Sequence, residues 1–215
     1  MPKVHGIALS PFVRKVRVAL AEKNIAYDVD PVVPLNVSAE YRRISPLGKI
    51  PAYTDGDKAL ADSSVICAYV ERLHPAPPLY PVEAYAYARA LWFEEYADAG
   101  LVPVAGGKIF YERVIKPGFF QQPADEAVVQ QALEVELPPM FDYLESQLAP
   151  GARHFVGDDL TIGDIAIGSV LVNLQHAGVT VDTSRWPCLA AAVDATLARP
   201  SFQLLIAEEN AMLGR

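Results

Sequence analysis

Cysteine is scarce in this chain: Cys67 and Cys188 are the only two in 215 residues, far apart, with no C-x-x-C spacing and no nearby His or Cys partner. Neither a zinc site nor a dithiol redox motif is supported, and no metal is expected. Cys67, inside Val65-Ile66-Cys67-Ala68-Tyr69-Val70, reads as a small buried hydrophobe. Basic charge is also short, with 18 Lys and Arg against 26 Asp and Glu and a net charge of −8. That balance speaks against a nucleic-acid partner, because phosphate contacts need clustered cations. The cations that do cluster, Arg14, Lys15 and Arg17, read as a solvated helix face. No apolar run is long enough to span a bilayer, so no membrane partner is expected. Met1-Pro2-Lys3 runs into a strand pattern instead of a charged-then-apolar leader, and the expected location is cytoplasmic. The four histidines (His5, His74, His154, His176) fall in no motif, and Ser10 lacks a Gly-x-Ser-x-Gly elbow, so a Ser-His-Asp hydrolase does not compete.

What is present is apolar residue in quantity, 52% against 20% charged, enough for a sizeable core in one large domain or two small ones. The first part of the chain alternates element types. Val4 to Leu9 reads as a strand, Pro11 to Lys23 as a helix, Tyr27 to Val33 as a second strand, and Ile50 to Thr54 as a third. Asp55-Gly56-Asp57 is a hairpin signal, with Lys58-Ala59-Leu60 as the returning partner. Ser63 to Leu73 carries Val65, Ile66, Tyr69, Val70 and Leu73 at helical spacing. The order is β-α-β, a loop, then β-β-α, so a parallel pair is extended by an antiparallel hairpin.

His74 to Pro81 holds four prolines in eight residues and cannot continue a helix or a central strand. It divides a first domain (1–75) from a second (84–215), with 76–83 as a proline-rich linker. Past it, helical patterns run over about 83–115, 124–148, 162–177, 187–198 and 201–213, and Pro138-Pro139 should kink or split the second of these. The second domain is expected to be all-helical. Thr161-Ile162-Gly163-Asp164 has the form of a capping box, a folding device.

Ser10 carries the first chemical signal. It ends the apolar strand and stands where a helix N-cap belongs, with Pro11 suited to the first helical position. Backbone N–H groups and the helix dipole favour an anion there, and a thiolate is such an anion.

The sequence as a whole resembles the cytosolic glutathione transferase family. The residues that carry the resemblance are Ser10-Pro11-Phe12 with Val16-Arg17-Val18-Ala19-Leu20, then Ser45-Pro46-Leu47-Gly48-Lys49-Ile50-Pro51, then Asp62-Ser63 with Ile66, and the Thr161 and Asp164 box. The serine-type first motif looks most like the tau, omega and zeta branches; omega-type members carry cysteine where this chain has Ser10. The resemblance implies a thioredoxin-like α/β domain with a mixed four-stranded sheet, followed by an all-α domain. It implies glutathione as co-substrate, a small apolar electrophile as the other substrate, a role in detoxification and a homodimer.

It also implies roles residue by residue. Ser10 would stabilise the glutathione thiolate: a free thiol has a pKa near ~8.5, and a hydroxyl donor at a helix N-terminus can lower it by roughly one to two, about 1.4 to 2.7 kcal/mol. Ile50, before a proline that is cis in the family, would offer its backbone to the cysteinyl part. Ser63 and the helix N–H groups would take the γ-glutamyl carboxylate, and Asp62 the ammonium, where relatives often carry Glu. Lys49 would pair with the glycyl carboxylate. A second basic residue of tau-type members falls at Val37 here, leaving Arg42 or Arg43 as candidates to replace it. Phe12 and Tyr111, with Val104, Phe110 and Phe119 nearby, would line the electrophile site. Adjacent residues Phe110 and Tyr111 diverge by about 100° on a regular helix, so they would not face one cleft together. A glutathione transferase is the leading expectation; a zeta-type glutathione-dependent isomerase and a non-catalytic binding module on the same fold are the alternatives. Without cysteine at position 10, a mixed-disulfide thiol transferase is disfavoured.

Overall fold

The computed structural model describes residues 1–215 and divides into two compact units, Met1–Tyr80 and Pro81–Arg215. The first unit is built on a four-stranded sheet, β1 (Lys3–His5), β2 (Asp28–Asp30), β3 (Ala52–Asp55) and β4 (Lys58–Ala61), in the order β2-β1-β3-β4. β1 runs parallel to β2 with Val4 opposite Val29, and antiparallel to β3 with Val4 opposite Tyr53. β3 and β4 close the hairpin, Asp55 opposite Lys58, so Gly56-Asp57 forms the two-residue turn. Helices α1 (Pro11–Glu22), α2 (Tyr41–Ile44) and α3 (Ser63–Leu73) complete the unit, which is the expected thioredoxin-like arrangement.

The strands are shorter than the apolar runs that announced them. β1 stops at His5 because Gly6, at φ +151°, turns the chain out of the ladder into a loop closed by Ser10 N–H donating to Ile7 O at 3.2 Å. β2 is an edge strand that ends before Pro31, which has no N–H to donate. β3 starts after Pro51 for the same reason, and its hairpin partner extends it to Asp55.

Helix α1 overturns the expected solvated basic face. Arg14 and Lys15 are fully buried and Arg17 nearly so. Long stems let such side chains bury methylenes while the polar tip finds a partner. Lys15 Nζ donates to Ser64 Oγ at 3.0 Å, and Arg17 Nε to Tyr27 Oη at 3.1 Å, with the guanidinium also over the Tyr27 ring. Val13, Val16, Val18, Ala19 and Leu20 supply the apolar part of the same buried surface.

The second unit is all-helical. α4 (Ala84–Glu95) continues into a wider, π-helical stretch, Tyr96–Ile115, which contains Pro103, and then into the short α5 (Lys116–Phe120). α6 (Glu126–Gln131) passes through a π turn, Ala132–Glu136, into α7 (Leu137–Ser146). The widened turn is where the missing proline N–H groups of Pro138-Pro139 are accommodated, in the first turn of α7, so the split anticipated there takes this form. α8 (Ile162–His176), α9 (Pro187–Leu197) and α10 (Pro200–Met212) follow.

Every residue of α8 except Gln175 is buried, the mark of a central helix. It packs against α4, the π-helical stretch and α9. A Cβ on Gly163 would lie 2.7 Å from Phe93 Cβ and 3.0 Å from Ala90 O, so glycine lets α8 approach α4 closely. Thr161 and Asp164 form the anticipated capping box: the Asp164 carboxylate accepts from Thr161 N–H, Thr161 Oγ1 and Phe155 N–H, each at 2.8 Å. Burial pushes the Asp164 pKa up, while these three bonds oppose the rise.

Asp164→Ala leaves those buried donors unpaired and is expected to cost about 3 to 5 kcal/mol, read as a lower denaturant midpoint. A second expectation concerns Tyr53, buried in β3, whose pKa is pushed up to about 12 by burial first, then by Asp55 and Tyr69. The folded state favours the protonated phenol, so this contribution is complete below pH 10 and lost as pH rises toward 12. Tyr53→Phe should flatten that part of the alkaline stability profile.

Candidate functional site

The β1–α1 loop delivers Ser10 to the start of α1 as the sequence anticipates. Ser10 has extended backbone, Pro11 takes the first helical position, and Val13 N–H donates to Ser10 Oγ at 3.4 Å. That bond is long, and it uses only the oxygen, leaving the hydroxyl hydrogen to be directed elsewhere.

Gly6 places this loop against the Ile50 segment. A Cβ built on Gly6 would meet Val13 Cγ2 at 2.5 Å and Ile50 Cβ at 3.3 Å, so any larger residue would push the loop, α1 or Ile50 aside. The Ile50–Pro51 peptide bond is cis, as the family pattern leads one to expect. Lys49 presents an exposed side chain, while its carbonyl oxygen accepts two hydrogen bonds, from Tyr41 Oη and Ser45 Oγ, both at 2.8 Å. Beside it, Arg42 Nη1 lies 3.0 Å and Val37 Cγ2 3.2 Å from where a Gly48 Cβ would stand, and Arg42 donates to Pro46 O at 3.4 Å. Arg42 is thus adjacent to the Gly48-Lys49 turn that Val37 leaves without a second cation.

The third segment opens α3. Asp62 is its N-cap, at a positive φ of +80°, and its Oδ1 accepts from Ser64 N–H at 3.0 Å and Val65 N–H at 3.2 Å. Asp62 therefore caps the first turn of α3, and its positive φ, unusual for a residue other than glycine, marks a position held by its surroundings. Ser63 is buried at the first helical residue. The Lys15 bond to Ser64 ties this helix start to α1.

Ser10, Lys49, Ile50, Asp62 and Ser63 therefore all lie on loops and helix starts of one unit. Two matched family models agree with that arrangement: "Glutathione S-transferase, N-terminal domain" over residues 4–78 and "Glutathione S-transferase, C-terminal domain" over 126–195. The chain belongs to the glutathione S-transferase family. A wheat (Triticum aestivum) glutathione S-transferase is 26% identical over 216 residues, covering 97% of this chain and 94% of the relative. A probable maleylacetoacetate isomerase of Caenorhabditis elegans is 29% identical, covering 80% of this chain and 78% of its own length. Among solved structures, a glutathione S-transferase of Rhodospirillum rubrum superposes with a TM-score of 0.86 at 26% identity, covering 95% of this chain and 91% of that one.

Within this transferase, the named apolar residues separate. Phe12 is partly buried on α1. In the helical unit Tyr111 is 40% exposed, its ring 6.4 Å from that of Phe120, whereas Phe110 and Val104 are buried. The expected divergence of Phe110 and Tyr111 is met, although on a π-helical turn rather than an α-helical one. Neither cysteine offers a nucleophile: Cys67 is buried, and burial, reinforced by Glu145, pushes the Cys188 thiol up. Gly6, Tyr41 and the Lys15 bond carry no local sequence signal, whereas Ser45 lies within the Ser45–Pro51 motif.

Two substitutions separate the cap that Asp62 provides from the ammonium contact the family resemblance implies for it. Asp62→Asn keeps the cap acceptor and should leave stability nearly unchanged while weakening glutathione binding about tenfold through loss of the charge. Asp62→Ala should do both, lowering stability by about 1 kcal/mol, as read by thermal melts beside calorimetric titration with glutathione.

Proposed function

We propose that this enzyme joins the thiolate of glutathione to a small apolar electrophile, with Ser10 as the group that stabilises the thiolate. The observation that carries the reading is Ser10 at the N-terminus of α1, at the end of the loop that Gly6 packs against Val13 and Ile50. Glutathione is a co-substrate in this scheme, extended along the first unit. Its cysteinyl part pairs with the Ile50 backbone in the manner of an added strand. Its γ-glutamyl carboxylate meets Ser63 and the α3 N–H groups, its ammonium meets Asp62, and its glycyl carboxylate meets Lys49, with Arg42 next to that turn.

The catalytic step follows from charge. Near neutral pH an ordinary thiol is mostly protonated, and the reactive species is the thiolate. The Ser10 oxygen accepts from Val13 N–H while its hydrogen donates to sulfur, and the helix dipole acts in the same sense. The thiolate sulfur then forms a bond to the electrophilic carbon, and a leaving group departs or a proton is taken up from water. Phe12 supplies aromatic surface for that second substrate. A homodimer is part of the proposal, and sedimentation finding only monomer at micromolar concentration would remove it.

A zeta-type isomerase, in which the thiolate adds and later leaves, is the second reading, favoured by the likeness to the probable maleylacetoacetate isomerase. Net consumption of glutathione in a screen of electrophiles separates the two.

The test of the mechanism is a pH titration of the thiolate ultraviolet absorbance of glutathione with excess protein, beside Ser10→Ala. The bound-thiol pKa should fall by roughly one to two below that of free thiol in the wild type and return in the variant. Saturable binding without a shift would remove Ser10 from the mechanism; no binding would favour a non-catalytic module.

A further inference from the structure

Tyr41 and Ser45 converge on one atom, the carbonyl oxygen of Lys49, each donating at 2.8 Å. Both are buried, to 6% and 1% exposure, although they sit among the exposed Arg42, Arg43, Pro46 and Leu47. Tyr41 is the one buried residue of α2, so this short helix is anchored by a single ring. That ring stands 6.3 Å from the His5 imidazole, which is itself bonded to Asp30 of β2 at 2.8 Å and Thr54 of β3 at 2.9 Å. The main chain closes the same turn, with Ser45 N–H donating to Tyr41 O and Gly48 N–H to Ser45 O, both at 2.8 Å.

A carbonyl oxygen has two lone pairs, and here both are engaged by side chains of the chain itself. The Lys49–Ile50 peptide is trans, unlike the bond that follows it. In a planar trans peptide the N–H points opposite to the C=O. Holding the Lys49 oxygen from one side therefore aims the Ile50 N–H to the other, and that N–H donates to no group of the chain.

We propose that Tyr41 and Ser45 are positioning residues for glutathione, which clamp the Lys49 carbonyl so that the Ile50 N–H is pre-aimed at the cysteinyl carbonyl of the tripeptide. The inference rests on the glutathione-transferase reading and adds to it the two side chains that prepare its main-chain contact. Preorganisation of this kind raises affinity by lowering the ordering that binding requires.

The experiment is calorimetric titration of the full chain with glutathione at a temperature where every variant is folded. Tyr41→Phe and Ser45→Ala should each raise the glutathione Kd roughly three- to tenfold, and the double variant should raise it further. Ser45→Thr, which keeps the hydroxyl, should restore wild-type affinity, a rescue that merely filling space would not produce. The bound-thiol pKa should stay at the wild-type value in all of them, because Ser10 is untouched. Unchanged Kd in both single variants, even with a lower melting temperature, would reduce the clamp to a stabilising feature and overturn the proposal. If the wild type binds no glutathione, the transferase reading fails and this inference falls with it.

Discussion

The arrangement of the first unit depends on a missing side chain. Gly6 stands where the β1–α1 loop, the first turn of α1 and the Ile50 segment meet, and a single Cβ would overlap Val13 at 2.5 Å. Its backbone, at φ +151°, is also one that other residues rarely adopt. Both facts act at once: the loop can turn sharply out of β1, and having turned, it can lie against its neighbours. Ser10 ends that loop at the helix N-terminus, so an apolar packing constraint bears on where a polar group acts.

Polar side chains complete what the glycine begins. Lys15 joins α1 to the start of α3 through Ser64, and Tyr41 with Ser45 holds the Lys49 carbonyl. Asp62 caps α3 from a backbone with positive φ. Each of these groups makes a hydrogen bond inside the protein near a residue the proposed chemistry uses, Ser63 or Ile50 among them, and Asp62 is itself one such residue. A rigid support beside a recognition group lowers the entropy lost on binding, which is why such support is concentrated on these loops. The helical unit shows the same economy in Asp164, one carboxylate satisfying three donors at the start of the central helix.

Much of this was readable beforehand. The order of the four strands with α1 and α3 in the first unit, α3 to the residue, the Pro11 start of α1, the capping box and the all-helical second unit follow from local patterns, because periodicity, proline placement and cap residues act within a few positions of themselves, whereas the short α2 occupies an expected loop. The basic residues of α1 depart from the expected solvated face for the opposite reason. Charge predicts exposure only when no partner is available in space, and Tyr27 and Ser64 come from other elements. The strands fall short of the apolar runs because such a run says where a strand can form, whereas ladder partners and prolines, which lack an N–H, say where it stops.

The sequence by itself therefore determined the two kinds of architecture, the family, and the residues Ser10, Lys49, Ile50, Asp62 and Ser63 as candidates, since each lies in a local signature of strand end, proline or helix start. Tertiary structure alone decided that Gly6 touches Ile50, that Arg14, Lys15 and Arg17 are inside, that Phe110 is buried while Tyr111 is exposed, and that Tyr41 and Ser45 meet on one carbonyl oxygen. Local signatures are written in neighbouring residues, while burial and shared hydrogen-bond acceptors depend on segments that come together only when the chain is folded.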